Sequence, residues 1–312
     1  MTGTERAMTT AAEGLLSALP LGGEQHACYP FTGPARTQWS YLPGPRRGIA
    51  LSELGTAGRK AAHRLLATAF SRAAFAQAVT IMAFEEVLDL DEHGRRGRHS
   101  SGYDVAVFGS PGDDAWAWRF EGHHLSATVT IIAGQPVVAP LFMGANPAQV
   151  RHNGQLVIAP LLREEELARA LITGLPPSLR DLAVIADTAP ADIITTTATA
   201  ADSPLQPTGI TVSRLPEQAR RQVRQLLGIY LDLLAPDLAD GEHCATDSKI
   251  TFAWAGGLLA GDAHYYRIQV PGLLIEYDNS QRHADHAHTV LRRPGQDFGA
   301  SLLASHLAAE RP

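Results

Sequence analysis

Cysteine is nearly absent from this chain of 312 residues, which has only Cys28 and Cys244. Two cysteines so far apart build neither a disulfide framework nor a CxxC motif, so small disulfide-stapled scaffolds and zinc ribbons are excluded. Aromatic residues are sparse at 6%, and no run of about eighteen apolar residues occurs, so no membrane-spanning helix is expected. The N-terminal stretch lacks a basic segment followed by a sustained apolar core, which makes a cytoplasmic location the expectation. Basic residues number 26 against 32 acidic ones, for a net charge of -6, and the arginines are scattered rather than striped. Nucleic acid is therefore not an expected partner. Four signatures are also missing: GxGxxG after a strand, GxxxxGK[ST], the GxSxG elbow and HExxH. Nucleotide binding and serine-hydrolase chemistry have no support.

What is present reads as α+β. Residues 1 to 12 are small and polar and are expected to be disordered, with a short helix from Ala11 to Ala18 broken at Gly22-Gly23. Pro30, Pro34, Pro43 and Pro45 surround Trp39 and Tyr41, the mark of an irregular connector anchored by aromatics. Helices are expected from Glu53 to Ser71 and from Ala73 to Leu90. Strands follow at Tyr103–Phe108, Trp116–Phe120 and Leu125–Ile132, separated by turn residues. The segment from Pro136 to Pro160 reads as broken, and a helix opens at Arg163 with acidic residues in its first turn.

The second half then repeats the first. Leu15–Pro20, LLSALP, resembles Leu171–Pro176, LITGLP, and Gly48–Phe70 resembles Gly209–Leu231. Farther on, Val107-Phe108-Gly109 with Trp118-Arg119-Phe120 pairs with Trp254-Ala255-Gly256 and Tyr266-Arg267-Ile268. The blocks keep their order, and their offsets drift by only a few residues. The expected architecture is two tandem-duplicated α+β units, residues 13–160 and 161–312, related by pseudo-twofold symmetry, with helices packed on mostly antiparallel sheets.

Leu273–Arg292, LLIEYDNSQRHADHAHTVLR, concentrates metal-ligand side chains as no other stretch does. In a strand, residues two apart share a face, so Glu276 and Asp278 project together, as do His286 and His288. Carboxylate plus His-x-His suits a divalent transition metal, iron or copper, with zinc as the alternative. The competing reading is a polar surface loop rich in histidine. The repeat alignment sets Thr128 opposite Glu276 and brings His123-His124 to the equivalent strand end of the other copy. If Leu125–Ile132 extends back, His124 shares the face of Ser126 and Thr128, which favours His124 as a metal ligand and His123 as a substrate or supporting contact. Gly122 permits a bulge that turns both inward. Arg119 and Arg267 occupy matching positions. Each suits a structural ion pair, and Arg119 alternatively a substrate contact. Arg292 and the Asp297-Phe298-Gly299 run are placed to close the site.

These motifs resemble the domain-of-unknown-function family 3500: W-x-W-R-x-E-G-H-H-L-S at Trp116–Ser126, FMGANPAQV at Phe142–Val150, FAWAG at Phe252–Gly256, YYRI at Tyr265–Ile268, IEYDN at Ile275–Asn279, then His286-x-His288 and Asp297-Phe298-Gly299. The resemblance covers nearly the whole chain, and the family label implies no reaction. Asp285 stands where asparagine is usual, Leu291 where tryptophan is, and Val270 where glycine is.

The expected function is a metal-dependent enzyme, an oxidoreductase or oxygenase acting on a small organic molecule. Its metal is held by His124, Glu276, His286 and His288, and its catalytic residues are Asp278, His123 and Arg119. Asp278 is a further ligand or the general base. The alternatives are a zinc hydrolase, in which Asp278 takes a proton from metal-bound water, and a non-catalytic binding or structural protein.

Overall fold

The computed structural model describes residues 3–239 and 245–309, a mixed α+β chain whose strand pairs are mostly antiparallel. Cys244 lies outside the described residues. The chain divides into two units: Met1–Phe142 with Leu233–Asp240 and Gly295–Pro312, and Met143–Asp232 with Gly241–Pro294.

The first unit opens with α1 (Gly3–Leu16), where disorder was expected. Its small residues carry no strong local signal, but Met8, Ala12 and Leu15 recur on one face and are fully buried. That face packs on α3 (Thr56–Ala69), so tertiary burial decides what composition left open. Between them run the short α2 (Glu24–Ala27), β1 (Cys28–Tyr29) and β2 (Ile49–Ala50). Trp39 and Tyr41 are buried as expected, and Tyr41 stacks on Phe142 at 3.9 Å. Helix α4 (Arg72–Asp91) begins at Ser71, whose Oγ accepts from the Ala74 amide at 3.2 Å.

An antiparallel meander follows: β3 (Tyr103–Phe108), β4 (Ala115–Gly122), β5 (Leu125–Ile132) and β6 (Gln135–Ala145). β1 joins β3 in parallel and β2 joins it antiparallel. Strand β5 is buried along its whole length, so both of its faces are covered. β6 corrects the reading of a broken segment after Pro136. Pro136 and Pro140 sit within this strand, so the prolines do not mark breaks here.

In the second unit, a small hairpin of β7 (Val150–His152) and β8 (Gln155–Ile158) precedes α5 (Leu162–Gly174), α6 (Pro177–Ala183), β9 (Val184–Ala186) and β10 (Ile210–Thr211). Helix α7 (Glu217–Leu231) packs on α5. Short α8 (Pro236–Ala239) belongs to the first unit, as does α9 (Ala300–Ala309). The second meander is β11 (Thr251–Gly256), β12 (His264–Val270), β13 (Leu273–Gln281) and β14 (His286–Arg292), with β9 parallel and β10 antiparallel to β11.

Buried arginines on the second strand of each meander explain how the proline-rich connectors are held. Arg119 donates to the carbonyls of Arg36 at 3.2 Å and Ala35 at 3.4 Å, and Glu121 beside it accepts from the Ser40 amide at 2.9 Å. On β12, Arg267 donates to the carbonyls of Leu205 and Pro207, and the Gln269 amide oxygen accepts from the Leu205 amide at 2.7 Å. A connector carries carbonyls that no ladder satisfies, and a guanidinium with five donors satisfies several at once.

Candidate functional site

The chemistry-bearing residues read from the sequence are divided between the units: Arg119, His123 and His124 belong to the first, and Glu276, Asp278, His286 and His288 to the second.

In the first unit, β4 and β5 pair as far as Gly122 and Leu125, so His123 and His124 form a two-residue hairpin loop. His124 has a φ of 63° and lies outside β5, which corrects the expectation that strand alternation sets its direction. The turn, rather than a bulge at Gly122, directs both rings toward one carboxylate. His123 Nδ1 lies 2.6 Å from Glu85 Oε1, and His124 Nδ1 lies 3.6 Å from the same oxygen. The two rings are 3.6 Å apart between centroids. One ligand atom from each of Glu85, His123 and His124 falls within 4.8 Å of the others, a spacing that could hold a metal ion.

Gly122 is required here, since a Cβ at this position would come within 2.1 Å of the Tyr103 ring, whose hydroxyl donates to the His123 carbonyl at 2.7 Å. Arg98 Nη1 also approaches His123 Nδ1, at 2.9 Å. That nitrogen donates to Glu85 when protonated and accepts from Arg98 when not. Burial lowers the His123 pKa, with Glu85 opposing, and so favours the neutral imidazole that can bind a metal. Glu85 was not singled out in the sequence, although the signal was there: it lies on the same buried stripe of α4 as Ile81, Met82 and Leu88. Arg119 serves the connector described above; its pKa is lowered by burial, with Glu121 opposing.

The second unit assembles its groups on β13 and β14. His286 and His288 flank Ala287, and their ring centroids lie 4.5 Å apart at 83°. Asp278 pairs with His288 across the ladder. Asp278 Oδ1 accepts from the Ser280 amide at 3.1 Å and the Ser280 hydroxyl at 2.8 Å. Asp278 Oδ2 is buried with no hydrogen-bond partner among the described residues. Burial pushes the Asp278 carboxyl up to about 7, against the opposing Ser280 hydrogen bonds.

A residue the sequence did not mark completes the group. Asp192, in the connector between β9 and β10, accepts from His288 Nδ1 at 2.7 Å. Its place depends on Glu276. Glu276 Oε2 accepts from the Ile194 amide at 2.7 Å and the Tyr265 hydroxyl at 2.7 Å, while Oε1 accepts from the Thr195 amide at 3.0 Å and the Thr195 hydroxyl at 2.5 Å. Four donors use the four lone-pair positions of a carboxylate. Glu276 thus pins residues 194–195, two and three positions beyond Asp192, to the strand that pairs with the His288 strand.

On its other face β13 presents Tyr277 and Asn279. Tyr277 stacks on Tyr266 at 5.0 Å and donates to Glu165 Oε2 at 2.9 Å, and Asn279 donates to the same oxygen at 3.2 Å. The strand therefore separates the Asp278–His288 group from a second polar cluster.

Residues 2–300 match the family described as "Protein of unknown function (DUF3500)". The chain belongs to that family. A search of curated proteins and a search of solved structures each found no match. Membership of DUF3500 brings no reaction with it.

Among the described residues, no helix is long and apolar enough to cross a membrane.

Proposed function

We propose that this DUF3500 chain is a metal-dependent enzyme, an oxidoreductase acting on a small organic molecule, with His124, His286 and His288 as imidazole ligands, each in the donor set of its own unit. The observation that carries the proposal is the one at His288 in the second unit; in the first unit the carboxylate holds His123, the ring beside the assigned ligand His124. A carboxylate oxygen holds the Nδ1 of a histidine that sits beside a second histidine: Glu85 with His123 at 2.6 Å, next to His124, and Asp192 with His288 at 2.7 Å, next to His286. Metal-ligating histidines commonly use one ring nitrogen for such a carboxylate, which fixes the ring and leaves the other nitrogen to the metal. Imidazole-rich donor sets suit iron or copper, and zinc as the alternative.

In this reading Asp278 accepts and returns a proton, which its pKa near neutrality suits. His123 orients or contacts the substrate. Glu276, with four donors already on it, is assigned the anchoring of the Asp192 segment rather than a place on the metal. A redox metal would supply electron transfer to or from the substrate. The alternative is a zinc hydrolase, favoured by the unpartnered oxygen of Asp278, which could take a proton from a water molecule.

Elemental analysis of protein purified without added metal tests the proposal. Bound iron or copper supports the oxidoreductase, bound zinc supports the hydrolase, and metal at background in the wild-type protein overturns both in favour of a non-catalytic protein. His124→Ala, His286→Ala and His288→Ala should each lower metal content and activity together.

We further propose that the two units are copies of one ancestral α+β unit with a pseudo-twofold relation. In support, each unit has a short strand parallel to the first meander strand, a two-residue strand antiparallel to it, and a buried arginine clamping a connector from the second. A cytoplasmic location and the absence of nucleic-acid and membrane partners belong to the same reading.

A further inference from the structure

The second unit contains a cavity of about 530 Å³ on the face of β13 that carries Tyr277 and Asn279, away from Asp278. That volume falls within the range of small-molecule pockets. The metal proposal makes no use of it.

The cavity has a polar floor and an apolar rim, joined by one side chain. At the floor stands Glu165 on α5. Its Oε2 takes two donors, from Tyr277 and Asn279. Its Oε1 takes one donor among the described residues, Arg169 Nη2 at 2.9 Å, with His264 Nε2 farther away at 3.7 Å. A carboxylate oxygen accepts two, so Oε1 retains capacity for a donor from a ligand. The four Nη hydrogens of Arg169 are directed at groups of the protein itself. Its Nη1 donates to the carbonyls of Leu258 at 3.2 Å and Leu259 at 2.5 Å, and its Nη2 is held by Glu165 and His264. The same guanidinium thereby fastens the 258–261 turn over the cavity, where Leu259 is 72% exposed. A leucine that open to solvent at the edge of a pocket offers apolar area that a bound molecule would cover.

We propose that this cavity is a binding site for a small primary amine, whose ammonium donates to Glu165 Oε1 and whose hydrocarbon body lies against Leu258 and Leu259. The under-used carboxylate gives the sign of the preference, and the lining as a whole agrees, with Glu165, Glu166 and Asp285 against Arg151 and Arg169. A cation gains a charge-assisted hydrogen bond there, and a carboxylate ligand would meet Glu165 while the Nη groups of Arg169 are already engaged.

Isothermal titration of the full chain with n-hexylamine, n-hexanol and hexanoate tests this. Saturable binding of the amine is expected, at least about tenfold tighter than hexanoate, with the alcohol between them. Glu165→Gln should weaken amine binding by about tenfold or more while leaving the alcohol nearly unchanged. Because Glu165 also holds Tyr277 and Asn279, a second variant keeps the test independent of that network. Ala170→Trp, at an exposed position lining the cavity, should fill it and abolish amine binding without lowering the melting temperature. No saturable amine binding, hexanoate binding as tight as the amine, or full amine binding by Ala170→Trp would each overturn the proposal. None of these outcomes depends on metal content.

Discussion

His288 Nδ1 lies 2.7 Å from Asp192 Oδ1, a contact that ties a histidine on β14 to a connector nearly a hundred residues earlier in the chain. Because the carboxylate accepts, a proton sits on Nδ1, and a neutral imidazole so held carries its lone pair on Nε2, the tautomer a metal ligand needs.

Removing that orientation should weaken metal binding without abolishing it. Asp192→Ala is expected to lower metal affinity by about 10–100-fold, whereas His288→Ala removes the ligand outright. Competition against a chelator of known affinity measures both. Equal metal affinity in Asp192→Ala and wild type would dismiss the orienting role.

Glu276 offers a separation between anchor and ligand. Glu276→Gln keeps the shape but turns an NH2 toward groups that are themselves donors, so the folded state should lose roughly 2–4 kcal/mol. Denaturant midpoints read this loss. Metal affinity of the folded variant should fall no further than in Asp192→Ala, since the damage reaches the metal only through the 192–195 segment. A stable Glu276→Gln protein devoid of metal would instead make Glu276 a ligand.

The third prediction concerns pH and the metal-stripped protein. The Asp278 carboxyl is raised to about 7 in the fold, against about 3.9 for an unfolded aspartate. A raised acid binds its proton more tightly when folded, so its contribution is fully present below about pH 4 and is lost as pH rises through 7. The loss is at most about 4 kcal/mol, the full value of a three-unit shift. Asp278→Asn cannot ionise. Relative to the wild type, it should gain stability from pH 4 up to about pH 7 and level off above that, as followed by chemical denaturation. A stability difference that does not change with pH would remove Asp278 as the buried titrating group.

Much of this protein was determined by local sequence. The helical run after Ala73 forms α4, turn residues separate the strands, and the boundaries of β3 and β5 can be read directly, because turn chemistry and propensity act over a few residues. The same locality put Glu276 beside Asp278 and His286 beside His288. Tertiary structure decided what depends on distant partners. Helix α1 looks disordered in composition and exists because α3 buries it, and β6 runs through two prolines that read locally as breaks. His123 and His124 turn toward Glu85 because strand pairing stops at Gly122 and Leu125. Asp192 reaches His288, and Glu276 is saturated with donors, because a long connector lies along the strand. No nearest-neighbour rule could predict that contact, since its free energy comes from hydrogen bonds between residues about eighty to a hundred positions apart.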